Sequence, residues 1–207
     1  MKKIIKNIFH LGILLIVGMF LVGFSSTKAD YNISRDDIIR QLSRDQESLD
    51  QFNSLSNEEQ IEYIEAINDP DIFLEKSVVT KSEEFVEEPT KLRSNGKVYT
   101  LTSRYDLSML GIKQTDYKHT LTYRTDGSSA IEIVDNSGVV VRNINPAVTT
   151  YLSDSSSFIS NGNAHGKVSF SYEIGPMKGL SARIGMLNHD YVGDGGGNIV
   201  RTNWTRE

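Results

Sequence analysis

The chain has 207 residues, a formal net charge of -5 and no cysteine; disulfides, thiolate metal sites and a cysteine nucleophile are excluded, and the fold stands on its apolar core alone. The acids are unevenly placed: residues 30–96 hold 17 acidic and 7 basic side chains, whereas residues 97–207 hold 10 and 11. An acidic first half repels phosphate backbones and the second half has no Lys/Arg cluster, which argues against nucleic acid as a partner.

Residues 1–29 read as a cleavable secretory signal peptide. Lys2, Lys3 and Lys6 form a positive start, Leu11 to Phe24 is an uncharged apolar run, and Ser25 to Ala29 supplies small residues ahead of a cut before Asp30. The run is roughly 14 residues, short of the ~20 that a spanning helix needs, which disfavours an uncleaved anchor. The expectation is a secreted, extracellular protein, and the Lys-, Ile- and Asn-rich start suggests a Gram-positive bacterium. Export also argues against nucleotide chemistry, and no phosphate loop is present.

Residues 30–79 form an acidic helical segment. Ser34 caps a first helix, with Asp36 and Asp37 complementing its positive end, and Ile38, Leu42, Leu49 and Phe52 recur at helical spacing until Asp45 interrupts the seam. Ser56 and Glu59 make a capping box for a second helix whose buried face is Ile61, Ile64 and Ile67. Asp69 and Pro70 start a short third one. These helices carry too few large apolar residues for an independent core, so they pack on each other or on the second half of the chain. Residues 80–96, with their glutamates and Pro89, read as a charged linker.

From Lys97 the apolar period drops to two. Tyr99, Leu101, Ser103, Tyr105 and Leu107 share one face, as do Tyr117, His119, Leu121 and Tyr123. Residues 130–135 and 139–144 read as a hairpin turning at Asp135 to Gly138, and Ser153 to Gly166 as a polar loop. Lys167 to Ile174 alternates an apolar face with a wet one, Leu180, Ala182, Ile184 and Met186 fall in phase, and Asn198 to Thr205 closes the chain. The fold class expected is α+β overall: a short acidic α-helical N-terminal segment, then an antiparallel all-β sandwich of seven or eight strands over residues 97–207.

Catalytic residues are not assigned. No Gly-x-Ser-x-Gly elbow or His-Glu-x-x-His motif exists, and Glu132, Asp135 and Glu173 fall in phases that suit solvated roles better than a hydrolytic pair. The segment 188–198 holds the candidate sites. Asp190, Asp194 and Asn198 offer oxygen ligands to a hard cation such as calcium, the one cofactor considered, with Gly195 to Gly197 letting carbonyls approach; the competing reading is a long hairpin loop. His189 and Trp204 are the candidate ligand-binding residues, Trp204 as a stacking surface. The functional expectation is a secreted non-enzymatic binding module acting on a cell-envelope polymer, a membrane or a surface protein. The alternative is a bacteriocin-like or membrane-active exported antagonist whose acidic N-terminal piece is a pro-segment.

Overall fold

A computed structural model describes residues 33–87, 90–91, 96–174 and 182–207. The expected signal peptide, 1–29, lies outside the described residues, as do parts of the expected linker.

The helices begin where side chains satisfy exposed backbone donors. Ser34 and Asp37 form a reciprocal capping box for α1 (Arg35–Leu42), which buries Ile38 and Leu42. Asp45, the residue that interrupts the apolar seam, is the N-cap of a separate helix, α2 (Gln46–Ser54), where it accepts from Ser48 N at 3.1 Å. Ser56 and Glu59 close the expected capping box on α3 (Asn57–Asn68). Of the expected buried face of α3, Ile67 is buried and Ile64 packs on the core, while Ile61 is 57% exposed and Tyr63 and Ala66 are buried instead. Asp69 caps α4 (Pro70–Lys76).

Two antiparallel sheets complete the chain. The first has the order β1 (Ser77–Val86), β3 (Lys97–Met109), β4 (Ile112–Thr125), β5 (Ala130–Asn143), with the two-residue β2 (Thr90–Lys91) also on β3. The second runs β6 (Val148–Ser160), β7 (Asn163–Ile174), β8 (Ala182–Gly193), β9 (Ile199–Arg206). The protein is mostly β with a small helical part.

Three segments differ from the sequence reading. Residues 80–86 of the expected linker form the second part of β1, laddered against β3 with Val79 opposite Leu107 and Val86 opposite Leu101. The expected hairpin within 130–144 is one continuous strand, in which Asn136 pairs with Leu121 and Gly138 with His119. Gly138 serves close approach rather than a turn: a Cβ there would sit 2.7 Å from Leu152 Cδ1 and 2.9 Å from Phe170 Cζ. The expected loop 153–166 is a hairpin of β6 and β7, turning at Asn161 and Gly162, both at positive φ (51° and 74°) as a two-residue turn requires.

The inward faces of the two sheets meet. Tyr117 of β4 lies 4.9 Å from Phe170 of β7 between ring centroids, and Tyr191 of β8 donates its hydroxyl to Thr102 O of β3. The helices cover one end of this core, so Ile38, Leu42, Phe52, Tyr63 and Phe73 share one apolar cluster with Met109, Ile112, Tyr117 and Phe170. Tyr63 exchanges hydrogen bonds with the buried Gln114 amide at 2.8 and 3.1 Å, Arg142 pairs with Asp45 at 2.6 Å, and Arg206 donates to Leu74 O and Ser77 O.

Because the end of the core belongs to both parts, a chain beginning at Lys97 is expected to lack a cooperative thermal transition in near-UV circular dichroism. The milder Tyr63→Phe leaves Gln114 Oε1 without its donor, with the amide N–H still on Ile112 O, and is expected to cost about 1–3 kcal/mol, read from urea unfolding of the longer chain.

Candidate functional site

The least ordinary feature of the interior is polar. His119 on β4 and His189 on β8, both fully buried, point at each other across the gap between the sheets. Their Nδ1 atoms lie 2.6 Å apart and their rings are nearly perpendicular. The strict alternation of β4 places His119 in line with Tyr117, Leu121 and Tyr123. On β8 a register shift beyond Tyr172 offsets the pattern, so Leu187, His189 and Tyr191 are the buried set and Met186, expected to be in phase, is half-exposed.

The outer partners determine where the protons sit. Asn136 Nδ2 donates to Ser155 Oγ, Ser156 O and Lys167 O, which fixes its Oδ1 as the atom 2.8 Å from His119 Nε2. His119 therefore carries its proton on Nε2, and its bare Nδ1 accepts from His189 Nδ1–H. His189 Nε2 is then bare and accepts from the Thr202 hydroxyl at 2.8 Å. The result is a one-directional chain, Thr202 to His189 to His119 to Asn136, that ties β9 and β8 to β4 and β5 and through Asn136 to β6 and β7.

Aromatic rings enclose it. Trp204 stacks on His189 at 4.2 Å and 15°, Tyr105 lies 4.2 Å from Trp204, and Tyr191 lies 5.0 Å from His189. Burial pushes both imidazoles toward the neutral form, His119 to about 4, and His189 further because His119 is beside it.

Thr202, His189 and His119 have the connectivity of a nucleophile, its base and an orienting group. Burial, and then His119 beside it, hold His189 below the ordinary imidazole range and so in the neutral form.

The two expected ligand-binding residues are thus brought together: His189 and Trp204 are ladder partners and stack. Of the expected cation ligands, Asp194 and Asn198 are brought together and Asp190 is not. Asp194 closes its own turn, accepting from Gly196 N and Asn198 N at 2.8 Å and from Asn198 Nδ2 at 2.9 Å, while Asp190 lies on β8 in the opposite phase to His189. The glycine run answers to packing: a Cβ on Gly195 would strike the Ser128 backbone, and Gly197, at φ 87°, lies against the Tyr99 ring. Among the described residues no three His, Cys, Asp or Glu side chains gather closely enough to hold a metal ion. Asn136 and Thr202 escaped the sequence reading, the first because Asn-Ser-Gly resembles a turn and the second because a threonine on a strand carries no local signal.

Two cavities open along β9, the first of them beside this centre. One, of about 310 Å³, is lined by Val79, Tyr105, Leu187, Thr202, Trp204 and Arg206; the other, of about 500 Å³, by Val86, Glu87, Tyr99, Gly197, Asn198 and Ile199. Both lie between β1 and β9. No protein-family model, no curated protein and no solved structure matches this chain.

Truncating the two ends of the hydrogen-bonded chain tests its weight. Asn136→Ala strips four hydrogen bonds from the interior and is expected to cost about 2–4 kcal/mol in urea unfolding, whereas Thr202→Val removes one donor and costs about 1–2 kcal/mol.

Proposed function

We propose that the chain is an exported, non-catalytic module of β-sandwich type that binds an extended polymer of the cell envelope along the seam between β1 and β9. Export rests on the features of residues 1–29. The observation that carries the binding reading is the asymmetry between the two seams. At one, β5 and β6 are stitched by Asn136 to Ser155 and Ser156, and Leu152 fills the space beside Gly138. At the other, β1 and β9 are joined near one end by Arg206 on Ser77, and both cavities open between them.

An extended ligand suits such a seam. Val79 and Val86 of β1 flank it at points seven residues apart, roughly 23 Å at the rise of a strand. Tyr105, Trp204 and Tyr99 offer aromatic surface, and Thr202, Asn203 and Asn198 offer polar groups to orient a ligand. The buried indole N–H of Trp204 has no acceptor among the described residues.

One observation favours the membrane-active alternative as a second reading. Strands β5, β6 and β7 have 14, 13 and 12 residues, beyond the ~9–11 that a bilayer-spanning strand needs. Exposed apolar side chains, including Val139, Val141 and Phe158, lie on β5 and β6.

Purified chain beginning at Asp30 is expected to co-sediment with isolated envelope polymers and to leave liposomes intact. Val79→Lys and Ile199→Lys, at the two cavities, are expected to weaken sedimentation by tenfold or more, while Phe158→Lys on β6 leaves it unchanged. Equal binding by all three variants would remove the seam from the account, and dye release from liposomes would move the weight to the second reading.

A further inference from the structure

The histidine pair joins the two sheets, and its chemistry leaves no room for added charge. A neutral pair has two N–H groups and two bare nitrogens, all four engaged in the chain from Thr202 to Asn136. A first added proton fits only at His189 Nε2, where the Thr202 hydroxyl can turn to accept it. The resulting imidazolium has no carboxylate in hydrogen-bond contact, since its partners are Thr202 and His119. A second proton has only His119 Nδ1 left, where it meets His189 Nδ1–H head-on at 2.6 Å. Water relieves both states, and both rings are fully buried while β4 and β8 stay together.

We propose that the His119–His189 pair is an acid-operated latch: neutral, it holds the two sheets together, and protonated, it drives them apart at their centre. The groups facing it do not compensate. Asp135 of β5 and Asp190 of β8 favour the charged form of His119, but burial outweighs them; Lys81 of β1 opposes charge on His189. From β3 and β8 the facing groups are Tyr105 and Tyr191, both held in the neutral phenol form by burial, with Glu84 of β1 adding to that in each case. Trp204 and Thr202 face it from β9 and carry no charge.

Both imidazoles bind protons less readily folded than free, so the latch is at full strength above the free value near 6.5 and weakens progressively as pH falls below it, the protons being taken up as the sheets part. The carboxylates held down by hydrogen bonds, Asp45 and Asp194 among them, lose their contributions only as pH falls below their ordinary value of 3.8. Above 4.5, the ordinary value of Glu59, which Ser56 also holds down, the histidines are the depressed groups that act; below it Glu59 adds to them, while Asp116, raised by burial, works in the opposite sense.

The single tryptophan, Trp204, stacks on His189 and reports the latch directly. In the chain beginning at Asp30, which holds the whole compact unit from Asn32 to Glu207, Trp204 fluorescence and near-UV circular dichroism are followed against pH in mild urea. The opening constant is expected to rise between pH 6.5 and 4, approaching about a hundredfold per pH unit as two protons are taken up. The double variant His119→Leu/His189→Phe is expected to move the transition below pH 4. An opening constant flat to pH 4 in the unsubstituted chain, or the same midpoint in the double variant, overturns the proposal. If the double variant does not fold, ¹⁵N-histidine spectra of the unsubstituted chain decide. His119 and His189 are expected as opposite tautomers at pH 7, both titrating only with the opening step, and either ring titrating alone in an intact fold overturns it.

Discussion

Two uncharged imidazoles meeting across the gap between the sheets set the spacing of everything around them. Apolar side chains adapt by small rotations, but a hydrogen bond from ring to ring tolerates little drift in distance or angle. His119 and His189 therefore fix β4 against β8, and the neighbouring strands must approach as closely as that bond demands. The glycines answer to it. Gly138 lets β5 pass Leu152 and Phe170, and Gly166 lies where a Cβ would strike Asn136 Oδ1, the atom that ends the chain of hydrogen bonds. Removing either glycine pushes on the same bond from a different strand.

The acidic first half, which by charge alone invites a docking or pro-segment reading, has a local explanation for a good part of its carboxylates. Asp37, Asp45, Glu59 and Asp69 each accept from backbone donors at or just ahead of a helix start. Such contacts satisfy groups that water would otherwise have to reach and place negative charge at the positive end of each helix. The helices they start are short, and short helices hold only when their apolar face is covered. Here that cover is the end of the sheets, through Tyr63 on Gln114 and Phe52 in the shared cluster. A protease that removed the helical piece would expose Met109 and Ile112, so its role as a detachable segment carries a structural cost.

How much of this was legible depends on how local each determinant is. The inward faces of β3 and β4 were readable because Tyr99, Leu101 and Leu107, and Tyr117, His119, Leu121 and Tyr123, recur at a period of two. The N-caps Ser34 and Ser56 were readable because the cap and its partner lie three residues apart, whereas Asp45 reads as a break in the apolar seam although it caps a helix through Ser48. Strand β6 was not: its length is almost wholly exposed, so no alternation marks it and its serines resemble a loop. Asn136 to Gly138 carries turn residues used for buried hydrogen bonding and close approach, and nothing in the segment separates those uses. The phase of β8 was lost at a register shift that only its partner strand defines. His119 and His189 lie 70 residues apart, and neither has a neighbour in sequence that marks it as half of a pair.

The seam and the histidine pair share Thr202 and Trp204, and that sharing couples them. Trp204 lines the smaller cavity with Tyr105 and Arg206, while its ring rests on His189. When the sheets part, Trp204 loses the surface that holds it, and the cavity loses a wall. On the seam-binding reading, a ligand that grips Trp204 binds the closed form more tightly than the open one. Linkage then makes the effect reciprocal: occupancy of the seam lowers the pH at which the latch opens, and acid lowers the affinity of the seam by the same factor. The coupling needs no pathway of intermediate residues, because one indole ring belongs to both structures.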